Sequence, residues 1–254
     1  MSVVVPKIIF IVPYRDRPQH LENFKTHMKT VMEDYDPETY KYLIVHQRDS
    51  RSFNRGAMKN IGFITAVKMY PKDYQNITFV FNDVDNMPMH KNMIEYATTP
   101  GVIKHFYGFR YALGGIVSVL GKDFARINGF PNFWGWGYED NMLQSRALNA
   151  GIIINRDVFF DVNDNVNILH FSHGTERNMN VYDFKQYQNK TNNGLFTIYE
   201  LNYEIDDLND FVNVINFKTP YEENKNSTFI YDLKNGNLPL NSRRKRVAMH
   251  MTFL

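Results

Sequence analysis

The first half of the chain alternates short apolar runs with stretches whose hydrophobic residues recur at helical spacing. Lys7 to Val12 is almost continuously apolar and stops at Pro13, the pattern of a strand buried on both faces. After Pro18, the residues Leu21, Phe24, Met28, Val31 and Met32 fall on one face of a helix. Tyr42 to Val45 predicts a second strand, Met58, Ile61, Ile64 and Ala66 a second helix, and Thr78 to Phe81 a third strand. This β-α-β-α-β order predicts a mainly parallel sheet with right-handed crossovers. Open sheets of this kind bind ligands beyond the C-terminal ends of their strands. That rule selects Pro13 to Arg17, Gln47 to Arg55 and Asn82 to Pro88, each rich in Arg, Asp or Asn. Further on, Gly114-Gly115 leads into the apolar run Ile116 to Leu120. Asp140 to Ala150 predicts a helix closed by Gly151, and Val166 to Phe171 a strand. From about residue 175 the sequence becomes rich in Asn and Lys, with weak strand signals at Val212 to Phe217 and Thr228 to Tyr231. Neither a repeat nor a linker is visible, so residues 1–254 are expected to form a single domain.

Composition narrows the class. With 254 residues, 43% of them hydrophobic and 15% aromatic, the chain can bury a substantial core. A net charge of +2 gives no case for a nucleic-acid partner, and the basic run Arg243 to Arg246 reads as a solvated tail. The absence of cysteine excludes disulfides, thiolate metal sites and a Cys nucleophile, and fits a reducing compartment. Ile8 to Val12 is far too short to span a bilayer, and no secretory segment is visible, so a soluble protein is expected.

Against this background Phe133-Trp134-Gly135-Trp136-Gly137-Tyr138-Glu139-Asp140 stands out, because it holds both tryptophans of the chain. Large rings supply contact area, glycines admit close backbone approach, and carboxylates accept hydroxyl hydrogen bonds or a proton. Those are the ingredients of a pocket for a polyhydroxylated ring; the alternative is a Trp-rich turn with two helix-starting acids. Asp83-Val84-Asp85 follows the third strand. On an extended segment its carboxylates would face opposite sides, one toward a ligand and one toward another partner. A carboxylate at a strand end suits a hard cation that bridges phosphates. Asp85, His170 and His173 make a two-nitrogen, one-carboxylate set that suits Mn²⁺, Zn²⁺ or Fe²⁺, with Mn²⁺ the natural choice for a diphosphate. Arg15, Arg17 and Arg55 lie near the ends of the first two strands, where guanidinium forks match phosphate, with Tyr14 and Phe53 placed to pack on a base or ribose. Neither a G-x-G-x-x-G nor a G-x-x-x-x-G-K sequence is present.

Taken in order, these motifs resemble the catalytic domain of the beta-1,4-galactosyltransferase family, from Ile8 to Arg17 through Phe53-Asn54-Arg55-Gly56, Phe81 to Asp85, Gly114-Gly115, Ile127 to Asn132 and the Trp-Gly segment to His170-Phe171-Ser172-His173. The likeness covers roughly residues 7–180, leaving 181–254 as a C-terminal extension of the same domain. It implies a GT-A-type, Rossmann-like mixed sheet, mainly parallel and flanked by helices. It also implies Mn²⁺-dependent, inverting transfer of a hexose, galactose by default, from a UDP-sugar to a sugar hydroxyl. Pro13, Tyr14, Arg15, Arg17, Phe53 and Arg55 would hold the nucleotide. Asp83, Val84, Trp136 and Glu139 would contact the donor, while Gly137, Tyr138, Asp140 and Asn141 would meet a carbohydrate or glycoconjugate acceptor. Asp140 would be the catalytic base, and Asp85, His170 and His173 the metal ligands. The chain departs from the family at Asn141, where a second Asp is usual, and at Ala112, where a donor-restricting Tyr is common. The second departure opens space for N-acetylgalactosamine or another hexose. Lacking the anchor and cysteines of animal members, it is expected to act in the cytoplasm of a viral or microbial system. A metal-dependent hydrolase and a weakly active sugar-binding module remain as competing readings of the same residues.

Overall fold

The computed structural model describes residues 4–171 and 174–234. Its strands are β1 (Ile8–Tyr14), β2 (Tyr40–Gln47), β3 (Thr78–Asn82), β4 (Asn86–Pro88), β5 (Val102–Gly108), β6 (Ile116–Leu120), β7 (Ile153–Asn155), β8 (Phe160–Asp161), β9 (Ile168–His170), β10 (Glu176–Asn180), β11 (Tyr199–Asp206), β12 (Phe211–Lys218) and β13 (Thr228–Asp232). The helices are α1 (Pro18–Val31), α2 (Arg55–Met69), α3 (Gly121–Arg126), α4 (Glu139–Asn149) and α5 (Val181–Gln188). A nine-stranded sheet runs in the order β11-β12-β2-β1-β3-β6-β5-β7, with β8 pairing on β5. Strands β12, β2, β1 and β3 are parallel, β6 runs antiparallel between β3 and β5, and β11 is antiparallel to β12. This is the mixed α/β sheet expected from the sequence.

Strand β1 shows why its sequence is a continuous apolar run. Ile9 and Ile11 pack on one face of the sheet with Ala57, Met58 and Ile61 of α2, while Ile8, Phe10 and Val12 pack on the other with Leu21, Phe24 and Met28 of α1. Helices on both faces leave a central strand with no wet side. The start of α2 is fixed locally: Asn54 caps it by accepting from Ala57 N at 2.9 Å, an arrangement worth about 1 kcal/mol. One turn on, Asn60 is fully buried and bonds both Phe130 and Asn132, tying α2 to the loop that precedes the Trp-Gly segment.

Two expectations change. The strand foreseen at Val166 to Phe171 shortens to β9, because Asp164 accepts from Val166 N and Asn167 N and folds that stretch into a turn. The Asn- and Lys-rich stretch from about residue 175 holds more strands, as far as residue 234, than its weak signals suggest. Strands β11 and β12 extend the central sheet past β2, and β13 pairs with β10 in a separate ribbon. Among the described residues, no helix is long and apolar enough to cross a membrane. The basic run Arg243 to Arg246 lies outside the described residues.

Candidate active site

Because β1, β2 and β3 are parallel, their C-terminal ends meet at one edge of the sheet. The three loops singled out by sequence are therefore neighbours. Arg17 of the first reaches to 4.0 Å from Asp85 of the third, and Arg15 donates to the Arg51 carbonyl of the second. Above this edge lies a cavity of about 600 Å³. Of the sequence-predicted residues, Arg55, Asp83, Asp85, Trp136, Gly137, Tyr138, Asp140, Asn141 and His170 line it, together with Ala112. Pro13, Tyr14, Arg15, Arg17, Phe53, Val84 and Glu139 lie outside its lining. Tyr14 is buried with its ring edge-on to His46 and Phe211. His173 lies outside the described residues.

The Asp83-Val84-Asp85 motif is a turn, not the extended segment expected. Asn86 N bonds back to Asp83 O at 3.2 Å, and the reversal brings both carboxylates to the same cavity. Just after the turn, β4 pairs with β9 so that Asn86 stands opposite His170, and Phe171 N donates to Asp85 O. His170 Nδ1 lies 2.6 Å from Asn86 Oδ1; donation there leaves the Nε2 lone pair available. An aspartate and an imidazole so fixed, both lining the cavity, fit a divalent cation with oxygen and nitrogen ligands. Among the described residues, no set of three such side chains gathers at one point.

The two tryptophans serve different ends. Trp134 is buried, stacks on Phe217 at 5.5 Å and 17°, and donates from its indole nitrogen to Tyr221 O. Only Trp136 lines the cavity, with the guanidinium of Arg55 at 5.9 Å on its ring and that of Arg177 at 5.6 Å. Between them Gly135 N donates to the buried Asp183 at 2.6 Å, as does the Tyr221 hydroxyl. Burial pushes Asp183 up to about 6, the cost of anchoring this loop from inside. The chain then reverses through two left-handed residues, Gly137 (φ +99°) and Tyr138 (φ +70°), and enters α4. The Tyr138 ring, carried on this left-handed residue, stacks on Tyr187.

That turn delivers Glu139 and Asp140 as the first residues of α4, so they are helix-starting acids and site residues at once. They part in environment. Glu139 is 2% exposed and ion-paired with Arg55. Burial alone would raise its pKa, but Arg55 and Lys59 outweigh it and hold the carboxyl below its ordinary value. Asp140 lines the cavity, and burial raises its pKa to about 7; Lys59 opposes that shift and Glu139 adds to it. A carboxylate poised near neutrality is suited to general base catalysis. Gly114 lies directly against it: a Cβ there would run into Asp140 Oδ2 and stand 2.8 Å from its Cγ.

The sequence reading missed several contributors. Lys59 is almost completely buried, with Nζ 3.2 Å from Asp140 Oδ1 and 3.4 Å from Asp83 Oδ1. The available signal was a lysine inside a helix whose other residues from Gly56 to Phe63 carry no charge. Arg177, Met179, Tyr231 and Leu233 form a further wall, carried by the β10–β13 ribbon. Phe109 and Tyr111 stack 5.2 Å apart at the rim, and both are exposed.

Comparisons with known proteins identify the family and the fold. The model for the N-terminal region of glycosyl transferase group 7 matches residues 3–97, and that for the N-terminal domain of galactosyltransferase matches 103–173. A xylosylprotein 4-beta-galactosyltransferase of Caenorhabditis elegans is 31% identical over 180 residues, covering 67% of this chain and 60% of that protein. Beta-1,4-galactosyltransferase 1 of Mus musculus is 33% identical over 159 residues, 59% of this chain and 39% of its own length. The chain thus spans between about two fifths and three fifths of these relatives. In fold it resembles the catalytic domain of Drosophila beta1,4galactosyltransferase 7 in complex with xylobiose, with a TM-score of 0.63, 21% identity, and coverage of 86% of this chain and 96% of that one. A mutant of the Drosophila enzyme, in complex with manganese, UDP-Gal and xylobiose, matches with a TM-score of 0.61 at the same identity and coverage.

Proposed function

Because the chain belongs to the group 7 glycosyltransferases, the family that includes the beta-1,4-galactosyltransferases, we propose that it transfers a hexose from a UDP-sugar to a sugar hydroxyl with inversion. The observation that carries this reading is the convergence of Asp140, Trp136 and the Asp83–Asp85 turn on one cavity. Asp140 is the base: it takes the proton of the acceptor hydroxyl as that oxygen attacks the anomeric carbon. Asp85 and His170 would hold a divalent cation, with His173, outside the described residues, as the third ligand the sequence suggests; Mn²⁺ is the choice because the Drosophila complex contains manganese and UDP-Gal. Bound there, the cation supplies positive charge against the diphosphate leaving group. Arg17 and Arg55, with Pro13, Tyr14, Arg15 and Phe53, bind the nucleotide; Asp83 meets the donor sugar, and the buried Glu139 acts on it through Arg55. Xylobiose in the Drosophila complexes supports a glycan acceptor, seated by Gly137, Tyr138 and Asn141. Asn141 already donates to Tyr111 O, which ties the acceptor side to the aromatic rim. A chain without cysteine is compatible with the reducing cytoplasm, where this reading places it.

A panel of UDP-sugars tested by calorimetry with and without Mn²⁺, then for transfer to simple glycosides, tests this directly. Metal-enhanced UDP-sugar binding followed by transfer is expected; binding of no UDP-sugar with any divalent metal would sink the reading. Ala112 lines the cavity where related enzymes often carry a donor-restricting tyrosine. Ala112→Tyr should therefore lower kcat/KM for UDP-N-acetylgalactosamine relative to UDP-galactose by about 10-fold or more, the scale set by a few buried heavy atoms. An unchanged ratio would show that this position does not select the donor.

A further inference from the structure

A lysine buried inside a helix needs a reason, because stripping water from an ammonium costs several kcal/mol unless partners restore the lost interactions. Lys59 sits on the second turn of α2 with 1% of its surface exposed. Its Nζ donates to Asp140 Oδ1 at 3.2 Å, reaches Asp83 Oδ1 at 3.4 Å, and lies 4.7 Å from the Phe130 ring centre. The two carboxylates come from different elements, Asp83 from the end of β3 and Asp140 from the start of α4, and no backbone hydrogen bond joins those two residues. The ammonium links the two carboxylates directly, one on the side assigned to the donor and one on the side assigned to the acceptor.

We propose that Lys59 is a positioning residue: its buried ammonium clamps Asp83 and Asp140 together and so holds the base where the acceptor hydroxyl must meet the donor. This rests on the transferase reading above. With Oδ1 held by Lys59 and Oδ2 lying over Gly114, the carboxyl of Asp140 is fixed in rotation as well as in place. Fixed geometry matters because a misplacement of about 1 Å costs on the order of 10²-fold in rate.

The clamp also acts through charge. The groups facing Asp140 are Lys59 and Arg55 from α2, Glu139 beside it on α4, and Asp83 after β3. Asp140 and Asp83 outweigh the burial of Lys59 and keep it an ammonium. Without it, one cation would stand against three carboxylates. Lys59 holds the Asp140 pKa down, so its loss should move that pKa up and protonate the base at neutral pH.

The test is Lys59→Met, which keeps length and apolar bulk, together with Lys59→Gln, which keeps hydrogen-bond donors without charge. For both, kcat should fall by about 10²-fold with little change in donor KM, and the acid limb of the kcat profile should move to higher pH. Metal-dependent UDP binding close to that of the parent chain shows that the variants are folded. A parental kcat and an unmoved acid limb in both would overturn the clamp while leaving the transferase reading intact. Should the parent chain itself fail to transfer from any UDP-sugar, the transferase reading falls instead. The clamp is then judged by thermal unfolding: a deficit of Lys59→Met that is larger at pH 8 than at pH 5 supports it, and an equal deficit at both overturns it.

Discussion

Asp140→Asn is expected to lower turnover by about 10²–10⁴-fold, the usual contribution of a positioned acid–base group, while metal-dependent UDP binding stays near that of the parent. An amide preserves the shape of the side chain and its hydrogen bond from Lys59 but cannot take a proton. Burial raises the Asp140 pKa to about 7. The competent form is the carboxylate, so parental activity should fall as pH drops below about 7, and the variant should lack that limb. Stability should move oppositely. A carboxyl whose folded pKa lies above its unfolded value of 3.8 favours the fold when protonated. That contribution is complete below about pH 4 and is lost as pH rises through 7. Asp140→Asn should therefore melt at or above the parental temperature at pH 8, with the difference shrinking toward pH 4. Turnover close to parental at pH 8 would remove Asp140 from the role of base.

Asp85→Asn is expected to abolish the enhancement of UDP binding by Mn²⁺. Even outer-shell partners of metal ligands typically cost 10–100-fold in affinity when removed, and a direct anionic ligand should cost at least that. The substitution keeps an oxygen in place but removes the charge that a hard cation seeks. Neighbouring structure should survive: the link from Phe171 N runs to the Asp85 backbone, and the β4–β9 pairing depends on main-chain bonds. UDP binding without metal should not weaken, since Arg55 stays held by Glu139 and Arg17 gives up only its 4.0 Å ion pair with Asp85, which leaves its guanidinium free for phosphate. Calorimetric titration with UDP, with and without manganese, reads both quantities. Metal enhancement equal to that of the parent would dismiss Asp85 as a ligand.

Much of the sheet was legible because its central strands are buried on both faces, which writes them as unbroken apolar runs such as Ile8 to Val12. The site was legible where parallel strand ends and short motifs coincide: the cavity gathers Arg55, Asp83, Asp85, Trp136, Asp140 and His170. What escaped depends on contacts distant in sequence. The uncharged stretch around Lys59 marks it as unusual, but its partners are set only when α2, the β3 turn and α4 are packed together. The wall of Arg177, Met179, Tyr231 and Leu233 comes from a ribbon whose strands are about fifty residues apart, so neither strand carries the signal of a hairpin. The Asp83–Asp85 motif takes a shape its sequence did not suggest, since one backbone bond from Asn86 decides between an extended segment and a turn.

The division of labour between the tryptophans has a practical consequence. Trp134 is buried against both Phe217 and the guanidinium of Arg51, whereas Trp136 faces the cavity, and the chain has no other indole. Tryptophan fluorescence, excited selectively over the tyrosines, therefore comes from one emitter shielded from solvent and one whose surroundings change when a ligand enters. The protein carries its own optical gauge of occupancy, with a built-in internal reference, and needs no label to follow nucleotide or glycan binding in real time.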